Sequence, residues 1–150
     1  MYRRILFATD GSTVSNLALR QAVMLAAAFG SELRIVCVTD HFSFDQSWWV
    51  NAAAFEELVE RMRQSSNKLL SEAVKTANEA GVRADTRLLE LDERGQRICD
   101  RIVSEAAAWS ADLIVLGTHG RRGMDRLVLG SVAEGVARAA TAPVMLVRGA

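Results

Sequence analysis

Five apolar runs of strand length alternate with four stretches of helical periodicity along this sequence, and that alternation limits the fold more than any other feature. Ile5-Leu6-Phe7-Ala8 reads as a short buried strand, followed by turn and N-cap chemistry in Thr9-Asp10-Gly11-Ser12-Thr13. Leu17, Ala18, Ala22, Leu25 and Ala28 then recur at helical spacing up to Gly30, a C-terminal stop. Leu33 to Thr39, apolar apart from Arg34 and rich in β-branched residues, predicts a second strand. A long helix is expected from Ala52 to Gly81, its apolar stripe interrupted by Ser65 and Ser66. Val82 to Leu91 is a third strand, polar enough for a sheet edge. Ile98, Ile102, Ala106 and Trp109 mark a helix, and Asp112 to Leu116 a strand bounded by Gly117. Val132, Ala133, Val136, Ala137 and Ala140 mark the last helix before a strand from Pro143 to Arg148.

Strands that are apolar on both faces and separated by helices predict a parallel sheet covered by helices on both sides. A chain of 150 residues is the length of a single α/β domain, 1–150, without a linker or repeat. Lysine plus arginine and aspartate plus glutamate number 18 each, so no long-range field draws the chain to nucleic acid or an anionic membrane. The N-terminal apolar run of four residues is too short for a secretion signal, and no stretch reaches the length of a membrane span. The expected setting is therefore cytoplasmic, with Cys37 and Cys99 as reduced core thiols.

In such sheets, ligands bind beyond the carboxyl ends of the strands, where the winding direction reverses. The loop after the fourth strand carries Gly117-Thr118-His119-Gly120, then nine residues, then Gly130-Ser131 at the start of a helix. A phosphate needs close backbone approach, which glycine permits, and converging N–H donors, which a helix N-terminus supplies. Ser131 offers a hydroxyl, and Arg121 and Arg122 in the same loop offer guanidinium groups suited to phosphate. Neither GxxxxGK[ST] nor GxGxxG is present.

Gly117-x2-Gly120-x9-Gly130-Ser131 resembles the nucleotide motif of the ATP-binding branch of the universal stress protein family. Phe7-Ala8-Thr9-Asp10-Gly11-Ser12 resembles the family's opening strand and turn, and Ala142-Pro143-Val144-Met145-Leu146-Val147 its closing strand; Ala8 stands where many relatives carry proline. The resemblance implies a Rossmann-like α/β fold, a five-stranded parallel sheet of order 3-2-1-4-5. It further implies ATP, together with Mg²⁺, as the cofactor. Asp10 would contact ribose or a phosphate-bound metal, and the backbone of Val38 the adenine edge. Gly117 and Gly120 would line ribose and the first phosphates; Gly130, Ser131 and the N–H of Val132 would hold the outer ones.

His119, between two motif glycines, fits a positioning role by hydrogen bonding better than a catalytic one, and neither it nor His41 has metal-site spacing. The segment His41 to Phe55 holds more than half of the aromatic residues. Phe55 is expected to staple the long helix to the core, whereas Trp48 and Trp49 remain open between core and a lid or protein-partner surface. The leading function is a nucleotide-sensing binding module; a slow ATPase or phosphotransferase, and a nucleotide-free interaction protein, are the alternatives. The last strand, Val144 to Val147, is apolar at four successive positions with nothing after it to cover a sheet edge, which predicts a homodimer joined there.

Overall fold

The computed structural model describes residues 1–44, 51–119 and 129–149, with the side chain of Phe44 left aside. The strands are β1 (Arg4–Thr9), β2 (Glu32–Thr39), β3 (Ala84–Glu90), β4 (Leu113–Gly117) and β5 (Val144–Val147). The helices are α1 (Thr13–Phe29), α2 (Ala52–Glu79), α3 (Ile98–Ala108) and α4 (Ser131–Ala139), with a single 3₁₀ turn at Phe42–Phe44. All strand pairings are parallel and the order is β3-β2-β1-β4-β5, as expected.

The period-two alternation of the strands sends side chains to two separate cores. Ile5, Phe7, Leu33, Ile35, Leu113 and Val115 pack against α1 and α2 on one face. Leu6, Val36, Leu89, Ile114 and Leu116 pack against α3 and α4 on the other. Because the first two crossovers run one way from β1 and the last two the other way, the winding reverses between β1 and β4. Their ladder ends at Phe7↔Val115, and beyond it the two chains part at the carboxyl end of the sheet.

Two polar features interrupt the expected apolar patterns. Arg34, in mid-strand, is only 8 % exposed. Its guanidinium donates to Asp85 at 2.6 and 2.9 Å and to Glu105 at 3.0 Å, and it lies 4.6 Å over the Trp109 ring. Its hydrogen bonds to these acceptors, chiefly Asp85, raise its pKa above the ordinary arginine value. Such full pairing is what makes burial of a charge tolerable. Ser66, read as a polar gap in α2, is instead buried; Ser66, Leu70, Ala73 and Ala77 form the helix's buried line. The earlier stripe residues Phe55, Leu58, Val59 and Met62 are half-buried. The third strand begins at Ala84, two residues later than expected, with Val82 buried ahead of it. No helix among the described residues is long and apolar enough to cross a membrane.

Candidate functional site

The β1–α1 turn and the described ends of the β4–α4 connection meet where β1 and β4 part. The first joins β1 to α1 and is held by its own hydroxyl and carboxylate groups. The Ser12 side chain caps α1 by accepting from the Ser15 N–H at 3.1 Å, and Asp10 Oδ1 accepts from the Ser12 N–H at 2.9 Å. Beneath them the Thr9 and Ser15 hydroxyls lie 3.0 Å apart, both buried, and Thr9 Oγ1 accepts from the Gly11 N–H at 3.2 Å. Gly11 has φ +77°, and a Cβ there would stand 2.7 Å from Leu69 Cδ2 of α2. The left-handed turn favours glycine, and any larger residue would also have to displace the Leu69 side chain.

The second connection joins β4 to α4 through a buried residue the sequence did not single out. Thr118 is 5 % exposed; its N–H donates to the Val147 carbonyl at 2.8 Å and its own carbonyl accepts from the Gly130 N–H at 2.8 Å. The chain therefore leaves the sheet after Thr118 and returns to the same point at Gly130. That closure brings Gly117 of β4 beside Gly130 and Ser131 of α4, residues separated by the whole loop. Gly130 is the N-cap of α4 and makes no side-chain cap bond; its carbonyl accepts from the Glu134 N–H at 2.9 Å. Ser131 is exposed and Val132 half-buried.

The remaining expected residues fall as follows. Asp10 is half-buried and, like Thr118, stands three residues beyond the last β1–β4 pair, so the two flank one crevice. Val38 lies one residue past the last β1–β2 pair, Thr9↔Cys37, while its side chain packs into the α3–α4 core. Gly117 takes a packing role: a Cβ would meet Val14 Cγ1 at 3.0 Å and the Ser15 nitrogen at 3.3 Å, so the absent side chain is what lets α1 sit on the end of β4. His119 is half-buried, with Nδ1 2.9 Å from Thr118 Oγ1. Gly120, Arg121 and Arg122 lie outside the described residues, as do Trp48 and Trp49. Ser15, which ties the β1 turn together, was not singled out by the sequence reading; its place one turn into a helix gives no local signal.

At the rim, the hydrogen bond from Arg63 (2.6 Å) is the largest influence holding the Glu90 carboxyl below its ordinary range, partly offset by burial. In the core beneath α3 and α4, burial pushes the Cys99 thiol up, away from thiolate chemistry. Among the described residues no group of three histidine, cysteine, aspartate or glutamate side chains could hold a metal ion. A separate cleft of about 210 Å³ lies between the C-terminal ends of α3 and α4, lined mainly by alanines with the Ser110 and Thr141 residues. It is at the amino end of β4, away from the motif.

Comparison with known proteins agrees with this fold. The sequence model of the universal stress protein family matches residues 1–148. A universal stress protein of Methanocaldococcus jannaschii is 35 % identical over 153 residues, covering 99 % of this chain and 83 % of that one. A universal stress protein solved in complex with cAMP superposes with a TM-score of 0.70 at 29 % identity, covering 97 % of each chain. One from Archaeoglobus fulgidus in complex with dAMP superposes with a TM-score of 0.66 at 25 % identity, covering 97 % of this chain and 98 % of that one. The chain belongs to the universal stress protein family.

Proposed function

We propose that this protein is a cytoplasmic regulatory module that binds an adenine nucleotide, ATP with Mg²⁺, across the carboxyl ends of β1 and β4. The observation that carries the reading is the Thr118–Gly130 closure, which sets an uncapped helix start beside the end of β4. Two relatives solved with cAMP and dAMP support an adenine nucleotide as the ligand class. In this reading the Val38 backbone meets the base and Asp10 the ribose or the metal. Gly117, His119 and Gly120 line the ribose and first phosphate. Gly130, Ser131 and the Val132 N–H hold the outer phosphates, with Arg121 and Arg122 as charge partners. Mg²⁺ would arrive with the phosphates, since such ions bind through phosphate oxygens and one or two carboxylates; Asp10 is the carboxylate at hand. Nucleotide occupancy would change the protein's stability or its partners.

Purification followed by identification of any co-purifying nucleotide is the direct test. Where added ATP exceeds its dissociation constant about a hundredfold, binding stabilises the fold by about 2.7 kcal/mol. For this length that is a rise in melting temperature of about 5–11 °C. Absence of both a thermal shift and calorimetric binding at millimolar Mg-ATP would overturn the reading.

The same proposal includes a homodimer through β5. Its four residues, Val144 to Val147, are each half-buried in the isolated chain, whereas the opposite edge, β3, exposes Asp85, Thr86 and Arg87. Charges on an edge discourage strand pairing, and β5 has none. Antiparallel pairing with a second copy would satisfy both chains around a two-fold axis. Light scattering at tens of micromolar should give a dimer mass that Met145→Lys converts to a folded monomer; a monomeric wild type would refute the dimer and leave the nucleotide site standing.

A further inference from the structure

The chain has two histidines, and each buries a ring nitrogen that finds no hydrogen-bond partner among the described residues: His41 Nδ1 and His119 Nε2. No other buried side-chain nitrogen or oxygen among the described residues is in that condition. A buried polar atom left unpaired destabilises a fold, so each one calls for an explanation. Their positions match. His41 stands two residues past the end of β2, and His119 two residues past the end of β4. The sheet order puts β1 between those strands, with Asp10 directly beyond its end.

Neighbouring strands lie about 4.8 Å apart, so the ends of β2 and β4 are separated by about 10 Å. That is the reach of a nucleoside from the edge of its base to its first phosphate. Both rings are oriented by neighbours. His119 Nδ1 is engaged by Thr118 Oγ1 at 2.9 Å, and Thr118 is itself anchored by backbone bonds to Val147 and Gly130. The hydroxyl can donate to Nδ1 or accept from it, so the bond orients the ring and leaves Nε2 able to serve as acceptor or donor. The His41 ring lies against Phe42, with centroids 4.3 Å apart.

We infer that these two orphaned nitrogens are ligand contacts at the two ends of the bound nucleoside, His41 Nδ1 at the base and His119 Nε2 at the ribose and first phosphate. The inference rests on the nucleotide reading above; it adds His41 to that site as a determinant of base preference and names Nε2 as the atom by which His119 contributes affinity. Thr118 acts as a positioning residue through His119.

The test is a calorimetric titration of Mg-ATP, AMP and GTP into wild type and four variants. His119→Ala and His41→Ala should each bind AMP and ATP about tenfold more weakly, the effect of one lost hydrogen bond. An amide at the end of a glutamine side chain mimics Nε2, and that of asparagine mimics Nδ1; His119→Gln and His41→Asn should therefore recover most of the affinity. The base-end assignment predicts that His41→Ala erodes discrimination between ATP and GTP, whereas His119→Ala weakens both alike. Alanine variants that bind like wild type, or amide variants no better than alanine, would overturn the inference while leaving nucleotide binding intact. A wild type that binds none of the nucleotides would overturn the underlying reading as well. Should an alanine variant fail to fold, His119→Gln against His119→Asn decides, since the shorter amide cannot reach the Nε2 position.

Discussion

Helices α1 and α4 lie on opposite faces of the sheet and each starts near the end of one of the two strands that flank the crevice, yet their first turns are built in opposite ways. The start of α1 supplies its own acceptors: the Ser12 hydroxyl takes the Ser15 N–H, Asp10 takes the Ser12 N–H, and Thr9 and Ser15 close the turn from below. The start of α4 has a glycine in the capping position, with no side chain to do the same. Both helices carry the positive end of a dipole, so the dipole alone does not choose between them. The local chemistry does. A turn already satisfied by serine oxygens, with a carboxylate at its entrance, has few donors to spare and repels an anion. A glycine start leaves space and N–H groups for one. On the proposed reading, α1 forms the rigid wall of the site and α4 its phosphate end.

The change that most directly erases this difference is Gly130→Asp, which gives α4 the kind of start α1 has. It should weaken ATP binding by more than about a hundredfold, because a side chain and a like charge enter where phosphate would approach. The apo protein should remain folded and gain a few tenths of a kcal/mol, since aspartate is a slightly better N-cap than glycine. Affinity by calorimetry and stability by thermal melting would thus move in opposite directions. Retained affinity in this variant would put the phosphates elsewhere.

Ser131→Ala takes away one donor while leaving the glycine start. A lost hydrogen bond to a charged group costs about 1.5–3 kcal/mol, so ATP should bind about tenfold to a hundredfold more weakly. Ser131 is exposed, and the apo melting temperature should be unmoved. Equal affinity for wild type and variant would mean that backbone N–H groups at α4 suffice without the hydroxyl.

Much of this contrast was written locally, and part of it was not. The apolar runs and helical spacings located the five strands and four α-helices of the described residues, though not the 3₁₀ turn at Phe42–Phe44, and the polar character of residues 82 to 91 placed β3 at an edge. Those are properties of short windows. Arg34 looked like an interruption because its partners Asp85 and Glu105 lie 51 and 71 positions away in the chain. Thr118 escaped notice for the same reason: its backbone bonds to Val147 and Gly130 are ones that any residue but proline could make. Gly117 was read for its nearness to a ligand, but the structure spends its missing side chain on Val14 of α1. Glycine spacing pointed to the crevice proposed as the site, while the reason for one of its glycines emerged from helix packing.

The mildest test addresses the wall. Ser12 is the N-cap of α1, and its hydroxyl accepts the Ser15 N–H at 3.1 Å while Ser15 in turn touches Thr9. Removing a serine cap costs about 1 kcal/mol, because one N–H at the helix start loses its acceptor. Ser12→Ala should therefore lower the melting temperature by a few degrees for a chain of this size. Ser12→Gly should lose only a few tenths of a kcal/mol, since glycine leaves water free to reach the same N–H. If α1 is a wall and not a phosphate end, neither change should alter ATP affinity by more than about twofold, well below the tenfold that one hydrogen bond represents. A tenfold loss of affinity in Ser12→Ala, with stability little changed, would reverse the assignment and make the β1 turn a direct ligand contact. A tenfold gain in Ser12→Gly would say the same by the opposite route, since a glycine start would then have created a second anion site where the serine had closed one.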